Sequence, residues 1–336
     1  MKIIKVSSGP AEYSNLLLRQ TPGMKGVWGD CNFFINTQIE KCDWWFVLHG
    51  SGIVNNEDCI TDPKNIVYVS MEPNEKISKV SNKFLEQFSH LISCDRTINQ
   101  QNVINMNWHT WWVGINVTKS KFEYFSKKHN FDYDDFVKMN PIKKINKMSI
   151  IMSNKNISDG HQKRINFINQ IINSPLSKFI DVYGDGYIAV PDKWNAIEKY
   201  KYHLVIENSV EKDYWSEKLA DSFLGFSIPI YFGCPNISDY FSDDSMVLID
   251  INDYDESFKL IASIFKNDLY NEKLQAIYQA RSMVLNKYNI FNLMTQFASS
   301  NANEFKRIEL KTNYYFSDSF FKKIARLIFN KIRIIF

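Results

Sequence analysis

Tyr202-His203-Leu204-Val205-Ile206-Glu207-Asn208-Ser209, followed by Asp213-Tyr214-Trp215-Ser216-Glu217-Lys218-Leu219 and, after a helix-length run, by Ile228-Pro229-Ile230-Tyr231-Phe232-Gly233, decides how this chain is read. The first apolar run is a buried strand and the polar residues after it form a loop. Ser-Glu-Lys opens a helix, and the second apolar run is another buried strand ending at Gly. Charged groups gathered at a strand-to-helix turn sit where open α/β sheets bind ligands, beyond the carboxyl ends of the strands. A helix N-terminus offers unpaired N–H groups and partial positive charge, and Lys218 adds a full cation. The expected ligand is therefore an anion such as a nucleotide diphosphate. Glu217 then suits the two hydroxyls of a ribose, with Tyr214 and Asn208 at the lip of the turn. The plain alternative is an ordinary helix start, with Ser216 as cap, Glu217 on the dipole and Lys218 solvated.

Outward from this stretch, alternating β and α runs argue for a parallel sheet. Strands are expected over 2–6, 32–35, 44–48, 66–70, 90–94 and 148–152, and helices over 77–88 and 119–139. A chain of 336 residues suits two domains of about 150 residues each. The basic connector Asn140-Pro141-Ile142-Lys143-Lys144-Ile145-Asn146-Lys147 is the expected boundary. It leaves a first domain over 1–140, a linker over 141–147, a second domain over 148–310 and a tail over 311–336. The cysteines Cys31, Cys42, Cys59, Cys94 and Cys234 lack metal-ligand spacing, and their odd number without a secretory signal fits reduced thiols in a cytoplasm. The segment 320–336 carries Lys322, Lys323, Arg326, Lys331 and Arg333 and no acid. Its apolar residues fall on one helical face, so it reads as an interfacial helix on an anionic membrane surface, or alternatively as a closing helix packed on the protein. The net charge of +3 is too small to indicate a nucleic-acid partner.

The motif over 200–240 resembles the signature of the family 10 glycosyltransferases, the α-1,3/α-1,4-fucosyltransferases: an apolar strand, Glu-Asn-Ser, Asp-Tyr, Ser-Glu-Lys, a helix and an apolar strand with Pro and Gly. The continuation Gly233-Cys234-Pro235-Asn236 is similar to the bacterial members. The resemblance implies the α/β GT-B fold, two facing Rossmann-like domains with a cleft between them. It also implies that Asn208, Tyr214, Glu217 and Lys218 contact a GDP-sugar donor, with Lys218 on the pyrophosphate and Glu217 on the ribose. Arg164, on the helix after the strand Ile150-Ile151-Met152-Ser153-Asn154, falls where the family's phosphate-binding arginine lies, and a planar fork suits two phosphate oxygens. Tyr183-Gly184-Asp185-Gly186 is similar to the family's Tyr-Gly-x-Gly turn. Inverting transfer needs a carboxylate to take the acceptor proton. Glu72, in Met71-Glu72-Pro73 after the run 66–70, stands where the family's base lies, with Glu75 its nearest rival. The family implies no metal and no cofactor, a glycan acceptor on surface polysaccharide or lipopolysaccharide, and a cytoplasmic protein peripheral to the inner face of the plasma membrane. Trp108, Trp111 and Trp112 offer an acceptor-stacking platform, the alternative being that they fill a core.

Three departures stand out: Ser216 where the family usually has Thr, the bulky Trp215 after Tyr214, and a first domain that matches only around Glu72. Two rival readings follow from the residues. One is a metal-dependent, single-domain transferase using Asp132-Tyr133-Asp134 or Asp253-Tyr254-Asp255 as a cation pair, although such pairs are commonly solvated turns. The other is a glycan-binding protein of the same fold without catalysis.

Overall fold

A computed structural model of the chain describes residues 1–49, 52–73, 80–98, 100, 102–116, 130–152, 159–184, 186–299 and 301–316. The first half builds strands β1 (Lys2–Ser7), β2 (Val27–Trp28), β3 (Cys31–Ile35), β4 (Trp44–Leu48), β5 (Glu57–Thr61), β6 (Ile66–Val69), β7 (His90–Ile92) and β8 (Val103–Ile104). Seven of these form a sheet in the order β2-β3-β1-β4-β6-β7-β8, parallel except for β2 against β3. The second half builds β9 (Ile145–Met152), β10 (Ile180–Gly184), β11 (Tyr200–Ile206), β12 (Ile228–Phe232) and β13 (Val247–Leu248). These form a wholly parallel sheet in the order β10-β9-β11-β12-β13. Continuous apolar runs make such strands because a parallel sheet is covered on both faces, and every residue of Trp44–Leu48 is buried. Gly184 is required where β10 passes β9: its φ is +109°, and a Cβ would lie 1.9 Å from the Met152 carbonyl oxygen.

The strands expected from the sequence lie within two residues of those observed, except that β9 begins three residues before the expected 148. The expected helix over 77–88 has its first residues outside the described residues and leaves only Asn82–Leu85. The expected helix over 119–139 lies mostly outside them too and leaves Tyr133–Lys138. A pair absent from the sequence reading joins two distant parts of the chain, since β14 (Lys306–Leu310) runs antiparallel to β5.

The domain boundaries differ from those expected. Trp108 packs in the first core with Ile4, Val6 and Phe46, whereas Trp111 and Val113 pack in the second with Phe136, Leu219 and Phe223. The chain therefore crosses between domains at 108–111 rather than at 141–147. The basic connector is not a linker: Lys144 is buried, and its ammonium donates to the carbonyls of Glu198, Tyr200 and Gly225 at the foot of β9. The chain also returns before 310. Tyr288 belongs to the second core, but Ile290, Phe291 and Met294 on helix Ile290–Phe297 belong to the first. Composition reveals solvated connectors, and neither crossing is solvated, so neither is visible in it. The tail 317–336 lies outside the described residues, among which no helix is long and apolar enough to cross a membrane.

Candidate active site

A cavity of about 570 Å³ lies between the domains, lined by residues that follow β4 and β6 on one side and β9 and β11 on the other. Its second-domain wall is built on Glu207, the residue after β11. Glu207 is 2% exposed, and its carboxylate accepts from Ser216 N (2.8 Å), Ser216 Oγ (2.7 Å) and Lys218 Nζ (3.2 Å). It thereby closes the loop 208–215 and starts helix Glu217–Leu224 at its far end. Gly233 makes room for it, because a Cβ there would come within 2.5 Å of Glu207 Cγ.

The first helical turn then presents its charges. Glu217 Oε1 lies 3.6 Å from both Lys218 Nζ and Lys193 Nζ. Burial alone would raise its pKa, but the two ammonium groups outweigh burial and hold it down to about 2. Lys218 shows the converse: burial opposes its charge, yet Glu207 and Glu217 raise its pKa above the ordinary lysine value. Lys193, on the short turn Lys193–Ala196, also reaches Asp221 at 3.2 Å. Asp221 accepts the backbone N–H groups of Trp112 (2.9 Å) and Val113 (3.2 Å), which binds the helix to the crossover segment. Sequence reasoning passed over both Glu207 and Lys193. Glu207 was legible inside the Glu-Asn-Ser motif, while Lys193 carried no signal.

Arg164 lies on the inner face of helix Asp159–Ile172 and donates from Nη1 to Asn208 Oδ1 at 2.7 Å. Burial lowers its pKa, and Glu207 and Glu217 oppose that lowering. The Tyr214 phenol is 2% exposed and pushed well above its ordinary value by burial and then by Glu207 and Glu217, so it stays a hydrogen-bond donor. The loop beneath it is anchored at Asp213, whose φ of +67° is held by Asn236, Tyr240 and, from the first domain, Arg96.

Glu72 faces this wall from the opposite domain. It follows β6, its carbonyl accepts from Ser70 Oγ at 3.1 Å, and its carboxylate lies 4.0 Å from His49 Nε2, just past β4. All six polar residues expected at the site, Glu72, Arg164, Asn208, Tyr214, Glu217 and Lys218, line the one cavity. The tryptophans do not stay together. Trp108 and Trp111 are each 1% exposed and fill the two cores, so neither is an acceptor platform; indoles close the two domains on either side of the crossing. Trp112 does line the cavity. Trp215 is not among the residues lining the cavity and packs among Phe241, Tyr240 and Tyr288. Neither Asp-x-Asp pair lines the cavity: Asp132 and Asp253 cap helices, and Asp134 accepts from Gly23 N.

Residues 141–298, which include Arg164, Lys193, Glu207, Asn208, Tyr214, Glu217 and Lys218, match the family described as glycosyltransferase family 10 (fucosyltransferase) C-term. The chain is 28% identical over 134 residues to alpha-(1,3)-fucosyltransferase B of Drosophila melanogaster, covering 37% of this chain and 30% of that protein. It is 30% identical over 91 residues to alpha-(1,3)-fucosyltransferase FucT of Helicobacter pylori, covering 27% and 19%. The matches thus span less than a third of these relatives. A crystal structure of an alpha1,3-fucosyltransferase with GDP aligns over 84% of this chain and 90% of its own, at 17% identity and a TM-score of 0.48. The domain that carries Arg164, Asn208, Tyr214, Glu217 and Lys218 is thus similar to the C-terminal domain of glycosyltransferase family 10.

Proposed function

We propose that this chain is an inverting glycosyltransferase that moves L-fucose, or a related deoxy sugar, from its GDP-linked form to a glycan hydroxyl without a metal ion. The observation that carries the reading is that Glu72 of one domain and Arg164, Tyr214, Glu217 and Lys218 of the other share one cavity. Inversion needs a base on the acceptor side and charge neutralisation where the nucleotide leaves. Glu72 takes the acceptor proton, and Arg164 and Lys218 meet the departing diphosphate in place of a divalent ion. Glu217, held ionised by its two lysines, accepts the ribose hydroxyls. GDP and fucose enter from the family and the names of its members.

Calorimetric titration with GDP, UDP and CDP in the presence of a chelator tests the reading. Arg164→Met is the better probe than loss of Lys218, whose removal would strand Glu207 buried and unpaired. Selective GDP binding that Arg164→Met weakens by about 10- to 100-fold is the expected result. Equal affinity for the three nucleotides, or binding that requires Mn²⁺, would overturn it. The acceptor belongs to a surface polysaccharide or lipopolysaccharide, and the basic segment 320–336, outside the described residues, holds the chain to the anionic inner face of the plasma membrane. A chain lacking that segment is expected to lose binding to anionic vesicles; undiminished binding refutes the membrane role.

A further inference from the structure

His109 stands on the crossover segment, inside the cavity wall, and only 5% of it is exposed. Its ring lies edge-on against Trp215, with centroids 4.2 Å apart. Both ring nitrogens are buried and neither has a hydrogen-bond partner. Native proteins pair nearly all such atoms, so two on one cavity-lining ring mark a place for something the protein itself does not supply. The ring is neutral near pH 7: burial, opposed by Glu217 but assisted by Lys218, brings its pKa down to about 4.

A neutral imidazole offers one donor and one acceptor. A hydroxyl both donates and accepts, so it can pair with either nitrogen, one at a time, because the two point away from each other on the ring. A phosphate oxygen wants donors alone, and Arg164, Lys193 and Lys218 already line the same cavity. The segment is clamped to the second domain on both sides of His109. Asn107 Nδ2 donates to the Trp215 carbonyl at 2.7 Å, and Trp112 N donates to Asp221. His109 is therefore held in register with the turn that carries Glu217 and Lys218, not with the sheet that carries Glu72.

We infer that His109 is a specificity-determining residue that holds a hydroxyl of the sugar of the nucleotide-sugar donor. The inference rests on the function proposed above and adds a residue outside the motif that resembles the family. A site built to pair a substrate hydroxyl discriminates strongly, because its buried polar groups are stranded when the hydroxyl is missing.

The test is titration of the full chain with GDP and with GDP-fucose, in the wild type and in two variants. His109→Phe keeps an aromatic ring against Trp215 and removes both nitrogens. His109→Asn keeps a donor and an acceptor. The expected result for His109→Phe is an affinity for GDP within about twofold of wild type and a loss of about tenfold for GDP-fucose, with His109→Asn recovering most of it. An equal loss for both ligands would overturn the inference, since the ring would then serve the nucleotide or the fold. So would no loss for either, since water would then satisfy the nitrogens. A wild type that binds neither ligand removes the proposed function and this inference together. A wild type that binds GDP-fucose beside an unaffected His109→Phe removes the inference alone.

Discussion

Glu207 and Glu72 each follow a parallel strand, on opposite sides of the same cleft, and they are held in opposite ways. The Glu207 side chain has no exposed surface and is bound by Ser216 and Lys218. The Glu72 side chain is 29% exposed, with His49 at 4.0 Å. A carboxylate that keeps a loop in place must be buried and saturated with donors, because only then does its charge fix the groups around it. A carboxylate that takes a proton from an incoming hydroxyl must be reachable. Similar turns thus provide one brace and one candidate base, and burial separates the roles.

The largest effect that would break this contrast is on turnover. Glu72→Gln is expected to lower kcat by about 10²- to 10⁴-fold while leaving GDP affinity within about twofold. A Glu72→Gln chain that transfers sugar at the wild-type rate would move the base elsewhere. Glu207→Ala is expected to cost about 3–5 kcal/mol of stability, because Lys218 loses its buried partner; the urea midpoint reports it. A midpoint unchanged from wild type would mean that Glu207 braces nothing. A smaller effect belongs to Glu217, whose folded pKa of about 2 lies below its ordinary 4.5. A depressed carboxylate pKa contributes stability that is fully present above the unfolded value and is lost as pH falls through the folded one. The difference in urea midpoint between wild type and Glu217→Gln should therefore be constant above about pH 4.5 and shrink as pH falls toward 2. A difference independent of pH across that window would contradict the ion pairs with Lys193 and Lys218.

The motif over 202–233 was legible because each of its demands is local. A strand buried on both faces needs an unbroken apolar run such as Tyr202–Ile206, a helix start needs a cap such as Ser216, and Gly233 is the residue that leaves room for Glu207. Arg164 was legible by its place on the helix after β9. Lys193 and His109 were not, since a single lysine in a short turn and a single histidine between tryptophans carry no pattern. Their roles come from Glu217 and Trp215, residues distant in the sequence. The tryptophans of 108–112 misled for the same reason: an aromatic cluster specifies burial, and only packing specifies which core each ring enters.

Local sequence alone specifies two parallel α/β units, the turn after β11 with its cap and charges, and six of the polar residues that line the cleft. Periodicity, capping and strand-end chemistry act over a few residues and are written in the order of the chain. The tertiary structure alone decided where the chain crosses between domains and that it returns through helix Ile290–Phe297 to pair β14 with β5. It alone made Glu207 a brace and Glu72 an accessible carboxylate. Those outcomes depend on which surfaces exclude water together, and that is settled by contacts between residues as far apart as Cys59 and Ile308.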